Sequence, residues 1–176
     1  LILLASITYA VAAIRMTRRG ALSQQLAAIE SLAAVDVVLL DKTGTLTTGH
    51  ARLVAREPSP GVRPEDLDRA LGRFAAAWGD LDETLSAIAL AIPAINETPD
   101  EVTHFSSRRR WSAVRFGDST LVLGAPGVIN AGPLADEVAR ESEGGRRVLV
   151  LARGHMPLGT PGPDDAPPVD IIPMGM

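Results

Sequence analysis

Residues 35–47 constrain the fold of this chain more than any other stretch. The apolar run at residues 35–40 contains Asp36 as its only polar residue, ends before Asp41 and passes into a Thr/Gly loop, residues 41–47. A short apolar run rich in β-branched residues that ends in such a loop is typical of a buried strand. Ligands of open α/β sheets bind at the carboxyl ends of the strands. The pattern therefore predicts an α/β fold with a carboxylate at a ligand-binding edge.

The side chains of this loop, Asp-Lys-Thr-Gly-Thr-Leu-Thr, suit the transfer of a phosphoryl group. The carboxylate of Asp41 is a nucleophile that can form an acyl-phosphate, and it can share a Mg2+ ion with the phosphate. Lys42 places a cation near the transferring group, Gly44 lets the backbone approach the phosphate, and Thr45 offers a hydroxyl donor. The alternative is an ordinary strand-to-helix loop in which Asp and Thr act as caps.

The same seven residues resemble the phosphorylation signature of the P-type cation-transporting ATPases, which reads DKTGT and usually continues Leu-Thr. The resemblance implies that ATP is the substrate, that Asp41 is phosphorylated and that Thr43 supplies a backbone carbonyl to Mg2+. It also implies the fold class: the start of a haloacid-dehalogenase-like Rossmannoid phosphorylation domain with an inserted α+β nucleotide-binding domain.

The first residues of the chain suggest a membrane segment. Residues 1–14 are apolar except for Ser6, Thr8 and Tyr9, and three arginines follow within residues 15–19. A membrane-spanning helix needs about 20 apolar residues, so this segment is too short to cross alone. The arginines form the basic flank expected on the cytoplasmic side. We therefore expect the end of a transmembrane helix in a multi-pass protein of the cell membrane, with residues from about 15 onward in the cytoplasm; the alternative is a buried amphipathic helix.

The resemblance divides the chain into four parts. Residues 1–19 are the end of the transmembrane helix with its basic flank, and residues 20–48 are the stalk and the first strand and loop of the phosphorylation domain. Residues 49–153 are the nucleotide-binding domain. Residues 154–176, which are rich in Pro and Gly and do not resemble the family, are interpreted as a tail produced by truncation or a frame change.

Periodicity and turn residues predict the local structure. The predicted helices cover residues 21–34, 64–78, 82–92 and 133–143, and the predicted strands cover residues 51–56, 111–116, 120–123 and 147–152. A loop is predicted at residues 154–168.

Two residues near the middle of the chain are candidates for ATP binding. Residues 105–112 resemble the pocket phrase Phe-Ser-x-x-Arg-Lys/Arg-x-Ser of the family. The resemblance implies that Phe105 stacks on adenine and that Arg110 reaches the phosphates. The alternatives are core packing for Phe105, a solvated surface for the arginines, or binding of single-stranded nucleic acid. A formal net charge of −4 argues against nucleic acid as a partner.

Three further residues complete the expected pocket. Glu83 lies in a phrase similar to Gly-(Asp/Glu)-x-x-Glu-Thr, which implies a place near the adenine amino group; a helix capped by Asp82 is the alternative. Gly124 lies in a phrase similar to Lys-Gly-Ala-Pro, where this chain has Leu123 in place of the lysine. Arg147 matches an arginine that contacts phosphates in the family, and spacing alone does not separate it from its neighbour Arg146.

These observations predict a fragment of a P-type ATPase that couples Mg-ATP hydrolysis at Asp41 to cation transport. The chain has no Cys, its three His residues lack the spacing of a zinc site, and it lacks the His-Pro dipeptide of heavy-metal pumps. A calcium or general-cation pump is therefore expected. Loops that complete the family's catalytic site are missing, so the isolated chain is predicted to be inactive. The alternatives are a non-catalytic ATP-binding module or a soluble haloacid-dehalogenase-type phosphatase, in which an Asp usually stands where this chain has Thr43.

Overall fold

The computed structural model describes residues 2–155, 166–168 and 170–176. The chain divides into two compact units, Leu1–Gly49 and His50–Met176. The first unit contains helix α1 (Ile2–Arg18), helix α2 (Leu26–Ala33) and a wide turn at Lys42–Leu46. Helix α2 is shorter than the predicted helix at residues 21–34. Within the described part of the chain, the structure contains no helix with both the length and the apolar character needed to span a membrane.

The prediction of a buried strand at residues 35–40 is wrong for this structure. These residues adopt no regular secondary structure, and the side chains of Val35, Val37, Val38, Leu39 and Leu40 are 52–93% exposed. A strand is stabilised by hydrogen bonds to neighbouring strands and by packing of its faces. The described residues of the first unit contain no second strand that could supply either, so the apolar run stays uncovered.

The second unit is built on a five-stranded antiparallel sheet with the strand order β1-β2-β3-β4-β5. The strands are β1 (Glu101–Thr103), β2 (Trp111–Phe116), β3 (Ser119–Gly124), β4 (Val150–Gly154) and β5 (Ile172–Gly175). The predicted hairpin of β2 and β3 is confirmed: Phe116 pairs with Ser119, and the two residues between them form the turn. Gly117 has a φ of 57°, which such turns require and glycine tolerates.

Two helices cover one face of the sheet. Helix α3 (Pro64–Ala76) starts with proline in its first turn, and its predicted inward residues Leu67, Leu71, Phe74 and Ala75 are all buried. Helix α4 (Glu83–Ala91) follows a short loop. The apolar side chains of both helices pack with alternate residues of the strands, among them Val114, Leu121, Leu123 and Leu151.

The opposite face of the sheet has its own core. Trp111, Val122 and Val150 point to this side and pack with Ile129 and Val138. Val138 belongs to helix α5 (Ala135–Glu143), which a short 3₁₀ turn at Gly132–Leu134 precedes, so the helix predicted at residues 133–143 is confirmed. The second unit thus has helical elements on both faces of one sheet.

The edge of the sheet differs from the sequence-based expectation. Residues 172–175, which were assigned to a tail outside the nucleotide domain, form β5 and pair with β4. Pro173 concealed this strand in the sequence, because proline is tolerated mainly in strands at the edge of a sheet. Residues 156–165 of the predicted loop lie outside the described residues. The predictions also missed β1 and placed β4 three residues too early, at Arg147 instead of Val150.

The predicted strand at residues 51–56 is also wrong, because the chain pairs with the sheet slightly later. Glu57 and Met176 exchange two backbone hydrogen bonds of 2.8 and 2.9 Å, and the Ser59 N–H donates to the Met174 carbonyl at 2.9 Å. Pro58 forms an isolated bridge with Gly175. The start and the end of the second unit therefore lie side by side.

Candidate functional site

The loop that carries Asp41 is a closed turn with an accessible carboxylate. The Thr47 N–H donates to the Lys42 carbonyl at 3.1 Å, which closes the turn, and the Thr47 hydroxyl donates to the same carbonyl at 3.3 Å. One carboxylate oxygen of Asp41, Oδ1, accepts the Lys42 N–H at 2.9 Å. All residues from 41 to 47 are exposed. The carboxylate is thus oriented by the first amide of the turn and remains open to a ligand.

Gly44 has the backbone conformation that the turn needs. Its φ is 80°, in the left-handed region that glycine adopts readily and that other residues avoid. Its N–H points toward the Thr47 hydroxyl oxygen at 3.4 Å. The side chains of Lys42, Thr43 and Thr45 leave the same turn and are exposed. The structure therefore holds the candidate nucleophile, cation and hydroxyl donor on five consecutive exposed residues.

Four of the five candidate nucleotide residues lie at one end of the sheet. Trp111 and Val150 both pair with Gly124, so β2 starts, β3 ends and β4 starts at this end. Arg110 immediately precedes β2, and Arg147 lies three residues before β4. Strand β1 also ends there, since Thr103 pairs with Ala113, and Phe105 follows two residues later.

Glu83, the fifth candidate, is joined to this end of the sheet by an ion pair. Its Oε2 lies 3.9 Å from Nη1 of Arg147, with both side chains substantially exposed. Such a pair contributes about 0–1 kcal/mol to stability, so it is easily exchanged for another partner. The neighbouring Arg146 is bonded instead to Glu141 of α5. Of the two arginines that the sequence left open, Arg147 is the one paired with another candidate residue.

The structure shows the helix cap at Asp82, and the role of Glu83 at adenine stays a prediction. The carboxylate of Asp82 accepts the Leu85 N–H at 2.8 Å, so Asp82 caps helix α4, as its alternative assignment predicted. The cap leaves the carboxylate of Glu83 free to reach Arg147. Capping and ligand binding are thus compatible roles of adjacent residues.

Phe105 and Arg110 occupy an exposed loop with an unusual backbone. The ring of Phe105 is 54% exposed, which excludes core packing as its role. Arg110 has a φ of 60°, which is uncommon for a residue with a side chain. Its N–H donates to the Ser106 carbonyl at 2.8 Å, and its own carbonyl accepts the Ala125 N–H at 3.0 Å. These bonds hold Arg110 in a conformation of a kind that clusters at functional sites.

Gly124 and Leu123 have structural roles that the sequence did not reveal. A Cβ on Gly124 would lie 2.6 Å from Cβ of Trp111 and 2.8 Å from the Arg110 carbonyl oxygen, so glycine is required by close packing inside the protein. Leu123, which replaces the lysine of the family phrase, is 6% exposed and belongs to the core beneath α3 and α4. The cation expected at this phrase has no counterpart at position 123.

Two aromatic residues near the site were missed. The indole of Trp78, just after α3, contacts the imidazole of His104, just after β1, edge to face with ring centroids 5.1 Å apart. The spacing of the three histidines in the sequence gives no sign of this contact. A contact between residues this far apart in the sequence leaves no local pattern. Two signals in the sequence could have pointed to Trp78. Aromatic residues make up only 3% of the chain, and Trp78 directly precedes the Gly-Asp phrase that contains Glu83.

Comparisons with known proteins place these features in one family. No protein-family model matches the chain. The fold matches the crystal structure of a zinc-transporting PIB-type ATPase in the E2·Pi state with a TM-score of 0.59 and 26% identity, covering 97% of this chain and 26% of that one. The probable cation-transporting ATPase exp7 of Streptococcus pneumoniae is 37% identical over 152 residues, 80% of this chain and 18% of that protein. The chain belongs to the P-type ATPase family.

Calcium-transporting ATPases are among the curated relatives to which the chain is similar. The chain is 37% identical over 181 residues to the calcium-transporting ATPase CtpE of Mycobacterium bovis, and 36% identical over 181 residues to CtpE of Mycolicibacterium smegmatis. These alignments cover 98% and 96% of this chain but 22% and 21% of the relatives. The chain therefore spans about a fifth of the length of these pumps.

Proposed function

We propose that the chain is part of a P-type pump in which Asp41 accepts the γ-phosphate of ATP and the hydrolysis of the resulting acyl-phosphate drives a cation across the membrane. The observation that carries this proposal is the turn at residues 41–47. One oxygen of the Asp41 carboxylate is oriented by the Lys42 N–H, and the group remains exposed. A carboxylate held in this way can attack phosphorus in line with the leaving group. Catalysis of phosphoryl transfer depends mainly on such positioning and on stabilisation of charge.

The same turn suits Mg2+. This ion is commonly held by one or two carboxylates together with phosphate oxygens and water. Oδ1 of Asp41 accepts a hydrogen bond from the Lys42 N–H, so Oδ2 is the carboxylate oxygen proposed to bind the metal. The backbone carbonyl of Thr43 is the second proposed ligand. When bound, Mg2+ neutralises charge on the transferring phosphate. The exposed ammonium of Lys42 would add a second positive charge, and the Thr45 hydroxyl would donate to a phosphoryl oxygen.

The end of the sheet in the second unit is the proposed ATP site. The exposed ring of Phe105 offers a flat apolar face to adenine. Arg110 and Arg147 would bind the phosphates, and Glu83 would accept from the adenine amino group once Arg147 turns to the nucleotide. Gly124 supports this site indirectly, because its lack of a side chain lets β3 pack against Trp111 and the Arg110 carbonyl.

We place the proposed nucleotide-binding domain at residues 49–176, and the stalk and the phosphorylation loop within residues 20–48. The inclusion of β5 rests on its pairing with β4 and on the two backbone hydrogen bonds between Glu57 and Met176, which join residues 172–176 to the rest of this unit.

The pump is proposed to reside in the cell membrane, with residues 1–19 as the end of a membrane helix and its basic flank, and with the chain from about residue 15 onward in the cytoplasm. The apolar side chains exposed on α1, among them Leu3, Leu4 and Ile7, and the arginines that follow support this placement. Calcium is the proposed cation, because relatives that align with nearly the whole chain are named calcium-transporting ATPases.

A chimera tests the function. The aligned segment of CtpE from Mycolicibacterium smegmatis would be replaced by this chain, and membranes would be incubated with radiolabelled ATP, Mg2+ and a series of cations. We expect a phosphoprotein that is stable in acid, labile to hydroxylamine, dependent on calcium and absent in Asp41→Asn. The isolated 176-residue chain should remain unlabelled. A chimera that inserts and folds but is labelled equally with and without Asp41 contradicts the proposal.

A further inference from the structure

The contact between Trp78 and His104 joins the two segments that carry the proposed base-binding residues. Trp78 precedes the loop that leads to Glu83, and His104 directly precedes Phe105. Their rings meet edge to face with centroids 5.1 Å apart, and Trp78 also packs on Phe74 of α3 with centroids 5.7 Å apart. The pair therefore joins the C-terminal end of α3 to the segment that follows β1.

The indole N–H of Trp78 is a donor without an acceptor. Its Nε1 is shielded from solvent and has no hydrogen-bond partner among the residues that the structure describes. Buried polar groups are nearly always hydrogen-bonded, and a buried tryptophan N–H usually finds a partner. The His104 segment opposite is held firmly, since its carbonyl accepts Nη2 of Arg109 at 2.5 Å. A ligand that enters between these segments and displaces the side chains around the indole could supply the acceptor that this N–H lacks among the described residues.

We propose that Trp78 and His104 determine the base specificity of the ATP site, with the Trp78 N–H donating to a ring nitrogen of adenine. This inference rests on the proposed function of the site. Adenine presents an amino group beside an unprotonated ring nitrogen, that is, a donor beside an acceptor. A carboxylate at Glu83 and an N–H at Trp78 match that pair. Guanine presents a carbonyl beside a protonated nitrogen, the reverse order, and is rejected because both groups would be left unpaired.

His104 acts on the base through Trp78. The two rings meet edge to face, and this contact fixes the direction of the N–H, so His104 is a positioning residue. Removal of its ring would let the indole turn, and the preference for adenine would fall in the same direction as after loss of the donor. A purely structural role for His104 would lower stability without changing the ratio of ATP to GTP affinity.

The experiment is a calorimetric titration of the 176-residue chain with Mg-ATP and with Mg-GTP. Trp78→Phe keeps a ring and removes the donor, and we expect ATP affinity to fall about 3- to 10-fold, the equivalent of one hydrogen bond, while GTP affinity changes little. His104→Ala should lower the ATP/GTP ratio as well. Phe116→Leu is the matched control, since it changes a buried aromatic residue at the opposite end of β2 and should leave the ratio unchanged.

The outcomes separate this inference from the proposed function. If wild type binds ATP and Phe105→Ala does not, but Trp78→Phe keeps the wild-type ATP/GTP ratio, the base-specificity inference is overturned and the ATP site stands. If wild type binds neither nucleotide, the ATP site itself falls. Should Trp78→Phe not fold, a Trp111→Phe chain leaves Trp78 as the remaining tryptophan. ATP should then shift its fluorescence more than GTP, and equal responses overturn the inference.

Discussion

Substitution of Leu123 by lysine separates two interpretations of the pocket phrase. The family has lysine at this position, so a pocket-lining residue would gain ATP affinity from Leu123→Lys. The structure instead buries Leu123 to 6% exposure between the sheet and helices α3 and α4. A lysine there must either bring its ammonium into an apolar core or displace its neighbours to reach water. We expect a loss of stability and no gain in affinity.

The expected size follows from the burial. Removing a buried leucine side chain costs about 2–5 kcal/mol, and an uncompensated charge adds to this cost, so Leu123→Lys should lose about 3 kcal/mol or more. For a chain of this length, that loss lowers Tm by roughly 10 °C. Urea unfolding followed by circular dichroism measures the free energy, and calorimetric titration measures ATP affinity.

Leu123→Met is the matched control, because it conserves volume and apolar character and should cost less than about 1.5 kcal/mol. Leu123 has no core role if Leu123→Lys unfolds at the same urea concentration as Leu123→Met and binds ATP more tightly than wild type. That result would mean that the side chain at position 123 faces the nucleotide.

Three further substitutions test local features of the second unit. Asp82→Ala removes the cap of α4 and should lower stability by about 1 kcal/mol in urea unfolding. Gly124→Ala forces a methyl group to within 2.6 Å of Cβ of Trp111, so it should cost about 1–3 kcal/mol and weaken ATP binding, as thermal unfolding and titration would show. The hydrogen bond from Arg63 lowers the pKa of Asp66 below its ordinary value of 3.8. The stability from this pair is therefore present above pH 3.8 and lost as the pH falls through the lower, folded-state pKa. Asp66→Asn should destabilise at pH 7 in urea unfolding, and the difference from wild type should shrink in acid; a constant difference contradicts the assignment.

Local signals in the sequence predicted those elements that short-range interactions define. Pro64 and the acidic residues behind it start α3, and Asp82 caps α4 through its own side chain. The Gly117 turn fixes the hairpin of β2 and β3. In each case the residues that make the decisive contact lie within a few positions of one another, so a pattern in the sequence carries the information.

Features that depend on distant partners were not predicted. The apolar run at residues 35–40 has the composition of a buried strand, but a strand also needs neighbours, and the described residues of its unit provide none. Strand β5 is the opposite case. Its Pro-rich composition predicts a loop, but pairing with β4 makes it a strand. The contact of Trp78 with His104 and the core position of Leu123 likewise depend on how distant segments meet.

The phrases that resemble the family selected residues that are distant in the sequence and that the structure brings together. The resemblance of short phrases selected Glu83, Phe105, Arg110, Gly124 and Arg147, and four of these lie at one end of the sheet, with Glu83 linked to the fourth, Arg147. The phrases do not explain why each position requires its particular residue. Gly124 is explained by its packing against Trp111, which requires the paired strands to be seen together.

Chemical trapping shows which residue carries the phosphoryl group, which we propose is Asp41. Phosphorylated chimera would be reduced with borohydride, which converts an aspartyl-phosphate to homoserine, and then digested and sequenced by mass spectrometry. We expect homoserine at position 41, and only after incubation with Mg-ATP. Homoserine at another position, or unchanged aspartate at position 41 in a protein that has incorporated phosphate, would contradict it.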